Sequence, residues 1–154
     1  ETQEAQEMTW AGKWFKADEF ACTCGCGGKD VHPKLVELLD TIREEVGQPL
    51  RVTSSYRCSK RNTAVGGVKS SQHLPYKGQA YAADITYSKR GLRENRENLF
   101  RLFWHAERAA ERMGLAVGLG LYEPRSGAFL HVDVRGERKM KSARWLKWSW
   151  PRMP

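Results

Sequence analysis

The chain has 154 residues, 40% hydrophobic and 29% charged, which is the composition of a soluble domain large enough to bury a core. No apolar run approaches the ~20 residues that span a bilayer, so neither a transmembrane helix nor stable membrane insertion is expected. Lys and Arg total 26 against 18 Asp and Glu, a net charge of +8; that favours acidic partners such as nucleic acid, anionic membranes or bacterial cell-wall polymers without selecting one.

Residues 1–7, ETQEAQE, are acidic and polar and read as a disordered tail or a remnant of expression ahead of Met8. No signal peptide is visible, and 8–154 is expected to form one domain. Residues 8–30 carry Trp10, Trp14, Phe15 and Phe20 and then a glycine-rich cysteine cluster, an irregular arm packed by aromatics. The four cysteines are Cys22, Cys24, Cys26 and Cys58, and the cluster lacks the two-residue gaps of a zinc knuckle. A cross-link or metal clip between the cluster and Cys58 ranks above free thiols. A second, structural ion and one or two disulfides both stay open.

Pro33 suits a first helical turn, and Leu35, Leu38, Leu39, Ile42 and Val46 recur at three- and four-residue spacing until Gly47 and Pro49 end the helix. Leu50, Val52, Ser54 and Tyr56 alternate with polar residues, which predicts a strand with Arg57 and Cys58 at its end. Residues 59–80 hold Gly66, Gly67, Pro75 and Gly78 and read as a long loop with a helical turn near 62–65; loops of that length are usually functional or disordered. Tyr81–Tyr87 is the next expected strand, Arg93–Met113 a second amphipathic helix ended by Gly114, and Leu115–Tyr122 a strand with one nearly bare face. Pro124, Ser126 and Gly127 turn the chain into a last strand, Ala128–Arg135, and Trp145, Trp148 and Trp150 in a basic tail are expected to cover a sheet edge.

The strand containing Asp84 is otherwise small and apolar, and a carboxylate buried there needs a cation, a metal or several donors. His73 lies just across the loop. On the last strand Leu130, Val132 and Val134 point one way and Phe129, His131 and Asp133 the other. Of the four histidines, His32 beside a helix start and His105 within a helix read as structural. His73, Asp84 and His131 then form a candidate zinc set with a fourth position open for water, the feature that separates catalytic from structural zinc. The metal would lower the pKa of that water toward ~7 and polarise a carbonyl. From the residues alone, an Asp84 held by backbone donors remains the alternative.

The segments FACTCGCGGKDVHPKLVELLDTIRE, PLRVTSSYRC, AVGGVKSSQH, YAADI and LGLYEPRSGAFLHVDVR, in order from about Phe20 to Arg135, resemble the zinc D-alanyl-D-alanine carboxypeptidase family and its phage-encoded relatives, the LAS-type cell-wall peptidases. The resemblance implies an α+β fold, a small mixed domain whose central antiparallel sheet carries the site with two main helices packed against it. It implies a zinc peptidase acting on peptidoglycan stem peptides, as a D-Ala-D-Ala carboxypeptidase or an endolysin-type endopeptidase, at the bacterial wall or periplasm. A phage lysis protein is the favoured source. By the same resemblance His73, Asp84 and His131 match the zinc ligands. Arg57 matches an arginine that holds a substrate carboxylate or the tetrahedral oxyanion. Ser71 matches a serine that bonds substrate or orients a ligand.

Two departures stand out. The step from His73 to Asp84 is eleven residues, longer than the family pattern, and the added residues 75–79 are expected to bulge at the cleft rim. Relatives carry an acid three residues before the last ligand, where this chain has Ala128. Asp133 is therefore the expected general base or ligand-orienting carboxylate, with Glu123 as the alternative base. A non-catalytic, zinc-containing wall-binding module is the competing function. A nucleic-acid-binding role is not expected because no such motif occurs; a monomer is.

Overall fold

The computed structural model of the chain describes residues 12–148. The tail at 1–7, Met8, Trp10 and Trp150 lie outside the described residues. Residues 12–32 form the irregular arm, with one 3-10 turn at Ala17–Phe20, and they bury Phe15 and Phe20. Helix α1 (Pro33–Val46) starts where His32 Nδ1 accepts from the Lys34 amide at 3.1 Å. It ends at Gly47, whose φ of 68° is left-handed and suits a residue without Cβ. Of the predicted stripe, Leu35, Leu38, Leu39 and Ile42 are fully buried and Val46 partly so. His32 is thus a helix cap, as its position beside a helix start suggested.

Strand β1 (Leu50–Ser54) leads to a short helix α2 (Ser59–Ala64), then β2 (Ala82–Tyr87). The second amphipathic segment divides into a single turn α3 (Arg90–Arg93) and α4 (Arg96–Met113), because Asn95 caps a new helix by accepting from the Asn98 amide at 3.1 Å. Strands β3 (Gly118–Tyr122) and β4 (Phe129–Asp133) are joined by a 3-10 turn at Pro124–Ser126. One strand escaped the sequence reading: β5 (Ala143–Lys147) lies within the expected edge-covering tail.

The five strands form one sheet in the order β1-β2-β4-β3-β5. Every pair is antiparallel except β3–β5, so the sheet is mostly antiparallel, as expected, with one parallel edge strand. Helix α4 lies against β3 and β4 and α1 packs along α4, and their apolar faces share one core with Ile85, Leu119, Leu121, Leu130 and Val132. No helix among the described residues is long and apolar enough to cross a membrane.

Pairing register places one residue from each strand in a single row: Ser54, Asp84, His131, Gly120 and Trp145. Directly paired residues point to the same face of a sheet, so the row gathers polar chemistry onto the face opposite the helices. The eleven-residue step between His73 and Asp84 is absorbed by a tight turn in which the Tyr76 and Gln79 backbones pair, with Lys77 and Gly78 at positive φ. Ala80 then bonds to the arm, donating to Asp30 O and accepting from the His32 amide, each at 2.9 Å. Ala80, just after the added residues, is thus tied to the arm, and none of 75–79 lines the cleft described below.

Glu45 at the end of α1 ties the two long helices together, receiving Arg112, Arg108 and His105 of α4. Burial raises its pKa, but the Arg112 and His105 contacts outweigh this and hold the carboxyl below its ordinary value. A depressed folded pKa contributes stability above the unfolded value of about 4.3, and that stability is lost as pH falls through the folded value. Glu45→Gln is predicted to lower stability at pH 7 by up to about 1 kcal/mol, the scale of partly exposed pairs. The difference from wild type should vanish in denaturant titrations at pH 3, and an equal loss at both pH values would refute the assignment.

Candidate functional site

Asp84 sits in the middle of β2, a strand buried on both faces. Its side chain is 9% exposed and its Oδ1 lies 3.3 Å from His73 Nε2 and 3.2 Å from His131 Nδ1. The two imidazoles stand edge to face with centroids 5.0 Å apart. One ligating atom each from His73, Asp84 and His131 falls within 4.8 Å of the others. The three residues singled out in the sequence are therefore brought to one point.

The far nitrogen of each ring is already committed. His73 Nδ1 is 2.8 Å from the Ser55 carbonyl, and since a carbonyl only accepts, Nδ1 carries the proton and Nε2 offers its lone pair to the Asp84 side. His131 Nε2 is 2.7 Å from Asp133 Oδ2, which leaves Nδ1 for the same point. An imidazole held by a carbonyl or carboxylate behind it and presenting its other nitrogen forward is how metal-binding histidines are oriented. Two nitrogens and a carboxylate oxygen are also a donor set that zinc takes. The residues present fit that ion.

Asp133 is fully buried, and its carboxylate is saturated. Oδ1 accepts from the Gly118 and Arg135 amides at 3.0 and 3.1 Å and from Arg135 Nε at 2.9 Å; Oδ2 accepts from Arg135 Nη2 at 2.8 Å and faces His131. Burial raises its pKa, yet the Arg135 and His131 hydrogen bonds hold it well below the usual carboxylate range. Asp84 follows the same pattern: burial is outweighed by the adjoining His73 and His131 imidazoles. Burial pushes the His131 pKa down, but Asp133 and Asp84 together raise it to about 9. Asp133 does not line the cleft. Of the two roles considered for it, the geometry matches the carboxylate that orients His131. Glu123, the alternative base, is buried away from the cleft and accepts from Arg96 Nη2 at 3.1 Å.

The three residues open onto a cleft of about 410 Å³. Arg57 reaches it from the chain after β1, donating through Nη1 to Asn62 Oδ1 at 3.2 Å and through Nη2 to Ser54 Oγ at 3.3 Å. Its side-chain partners in these bonds are neutral, unlike the aspartate that neutralises Arg135. Ser71 accepts from the His73 amide at 3.2 Å and also lines the cleft. Tyr122 and Phe129 stack at 4.2 Å to form part of the wall.

Arg135 and Trp145 are among the wall residues not singled out as site residues. Arg135 continues the alternation of His131 and Asp133, so that pattern could have marked it. Trp145 has no local signal; it reaches the cleft only because β5 adds to β3 in parallel. Its ring lies 5.0 Å from His131, with Arg135 over it at 5.5 Å, and its Nε1 donates to Tyr122 Oη at 3.1 Å. The bare face of β3 exists for this ring and for the Asp133–Arg135 pair: a Cβ on Gly120 would run into Trp145, and one on Gly118 into Asp133 and Arg135.

Comparison with known proteins follows this geometry. The peptidase M15 family model matches residues 13–133. Among curated proteins no match was found. Among solved structures the chain is similar to the crystal structure of the Serratia marcescens L-Ala D-Glu endopeptidase ChiX, with a TM-score of 0.57 at 16% identity. The alignment covers 86% of this chain and 96% of that one. At that identity the likeness speaks for a shared fold.

Gly120→Ala is predicted to force Trp145 off the sheet and to lower stability by about 1–3 kcal/mol, the usual cost of overfilling a packed site. Thermal unfolding and near-ultraviolet circular dichroism measure both effects. An unchanged melting temperature with an unchanged tryptophan signal would contradict the packing described.

Proposed function

The chain belongs to the peptidase M15 family and is a metallopeptidase of that family; we propose that it is a zinc-dependent peptidase cleaving peptidoglycan stem peptides at the bacterial cell wall, with His73, Asp84 and His131 as its zinc ligands. One observation carries this reading: three ligating atoms converge at the base of a cleft while the opposite ring nitrogens are held by Ser55 O and Asp133. Zinc bound there would supply a Lewis acid for the scissile carbonyl and acidify a water toward a pKa of ~7.

The protein's own groups do the rest. Ser55 O and Asp133 fix the imidazole tautomers, and Arg135 keeps Asp133 ionised. Arg57 offers a guanidinium whose hydrogen-bond partners are neutral, suited to a substrate carboxylate or to the developing oxyanion. Ser71 bonds the His73 backbone through its oxygen and can donate its hydroxyl proton to a bound peptide. Trp145, Tyr122 and Phe129 form an aromatic wall beside the site. The purified protein should hydrolyse muropeptides only when loaded with zinc, read by mass spectrometry of the products. Metal-loaded protein inert on every muropeptide would reject the catalytic reading.

A second reading has its own support. Among the described residues lining the cleft, Asp84 is the sole carboxylate, since Asp133 is saturated behind His131 and Glu123 lies elsewhere. A non-catalytic zinc-containing wall-binding module fits that observation, and inert protein that still binds peptidoglycan would establish it.

Two substitutions divide the roles. Arg57→Ala is predicted to cut cleavage of peptides ending in free D-Ala-D-Ala by about 10²–10³-fold, the scale of losing an oriented charge. Internal bonds should be affected far less; equal losses would assign Arg57 to the transition state. Asp133→Asn is predicted to weaken zinc binding about 10–100-fold, as loss of an orienting carboxylate does. Unchanged zinc affinity with a lower kcat would instead make Asp133 a proton-transfer group.

A further inference from the structure

The four cysteines stand apart from the cleft. We propose that Cys22, Cys24, Cys26 and Cys58 bind a structural zinc ion as four thiolates, and that this clip fastens the N-terminal arm to the segment carrying Arg57.

The sulfur positions carry the assignment. The Cys22–Cys24, Cys24–Cys58 and Cys22–Cys58 separations are 3.4, 3.5 and 3.7 Å, and all four sulfurs lie within 4.8 Å of one another. Four sulfurs at ~2.3 Å from a tetrahedral zinc are about 3.8 Å apart, close to this spacing. A disulfide would need one pair near ~2.05 Å and would release the other two from such mutual proximity.

The backbone is shaped for the same end. Gly25 and Gly27 adopt φ of 82° and 85°, which lets three alternate cysteines wrap round one point. The loop closes where the Cys22 amide donates to Gly28 O at 2.7 Å. The Cys58 amide donates to Cys22 Sγ, and the Arg61 amide at the start of α2 donates to Cys58 Sγ, each at 3.4 Å. Amide donors aimed at sulfur stabilise thiolate charge, as hydrogen bonds behind metal ligands do. Tetrahedral all-sulfur sites take zinc or iron. Binding replaces the thiol protons, which pass to buffer, and needs no oxidant.

The clip adjoins the cleft through three consecutive residues. The Tyr56 amide donates to Phe20 O, the Arg57 amide to His73 O and the Cys58 amide to Cys22 Sγ, so the backbone of Arg57 is pinned on both sides. Zinc here would hold the arm and, through it, the direction of the cleft arginine.

The test is cobalt substitution of reduced, metal-free full-length protein, with metal analysis of the protein as purified. The expected result is sulfur-to-cobalt charge transfer with the intense d–d bands of a tetrahedral tetrathiolate site. Those bands should persist in His131→Ala, which removes a nitrogen donor from the cleft, so failure at one site is told apart from failure at the other. Cys24→Ser/Cys26→Ser should lose the bands and one zinc equivalent. Both cysteines are exposed, and the wild-type spectrum decides the matter should that variant not fold. Reduced wild-type protein without thiolate bands, thiols that react equally fast with and without zinc, a disulfide in the purified protein, or iron as its metal would each overturn the proposal.

Discussion

A carboxylate in the middle of a fully buried strand constrains everything around it. Asp84 cannot remain ionised on β2 without compensation, because transferring an isolated charge into a protein interior costs several kcal/mol. Two imidazoles meet it, one on the loop after α2 and one on β4, and a proton or a metal ion held between them and the carboxylate supplies the compensation. Each imidazole is in turn held by a carbonyl or a second carboxylate, and that carboxylate, Asp133, is fixed by Arg135 and two backbone amides. The chain of dependence runs from Asp84 outward to Trp145, whose ring covers His131 and Arg135. The same charge that burdens the strand is what makes the site attractive to a cation.

Sheet register turns this into geometry. Ser54, Asp84, His131, Gly120 and Trp145 stand in one row because each strand contributes the residue directly opposite its neighbour. A one-residue slip of β4 would send His131 to the core face and expose Leu130 or Val132 instead, at the cost of their burial. The hydrophobic face of the sheet, packed on α4, therefore holds the polar face in register. Fold stability and site geometry are two consequences of one alternation.

That alternation explains which parts were legible in the sequence. Helix α1, the strands through β4 and the facing of His131 and Asp133 follow from local periodicity. Local spacing also allowed Asp84 and His73 to be paired across a loop. That loop's bonds to the arm at Ala80, by contrast, depend on backbone distant in sequence. The parallel strand β5 left no mark, since its partner β3 is more than twenty residues away and its residues Ala143–Lys147 read as a basic tail. The bare face of β3 was visible, and so was the neighbouring Asp133, but Trp145, which fills the space at Gly120, depends on that unseen pairing. Glu123 looked available because hairpin sequences do not reveal that the side chain turns to Arg96.

Anomalous scattering at the zinc absorption edge from crystals of the zinc-loaded protein tests the central claim most directly. The account predicts a peak bonded to His73 Nε2, an Asp84 carboxylate oxygen and His131 Nδ1, with Asp133 still behind His131 Nε2. A fully loaded crystal with no peak among these three residues, or one in which His131 turns to bind through Nε2, would contradict it.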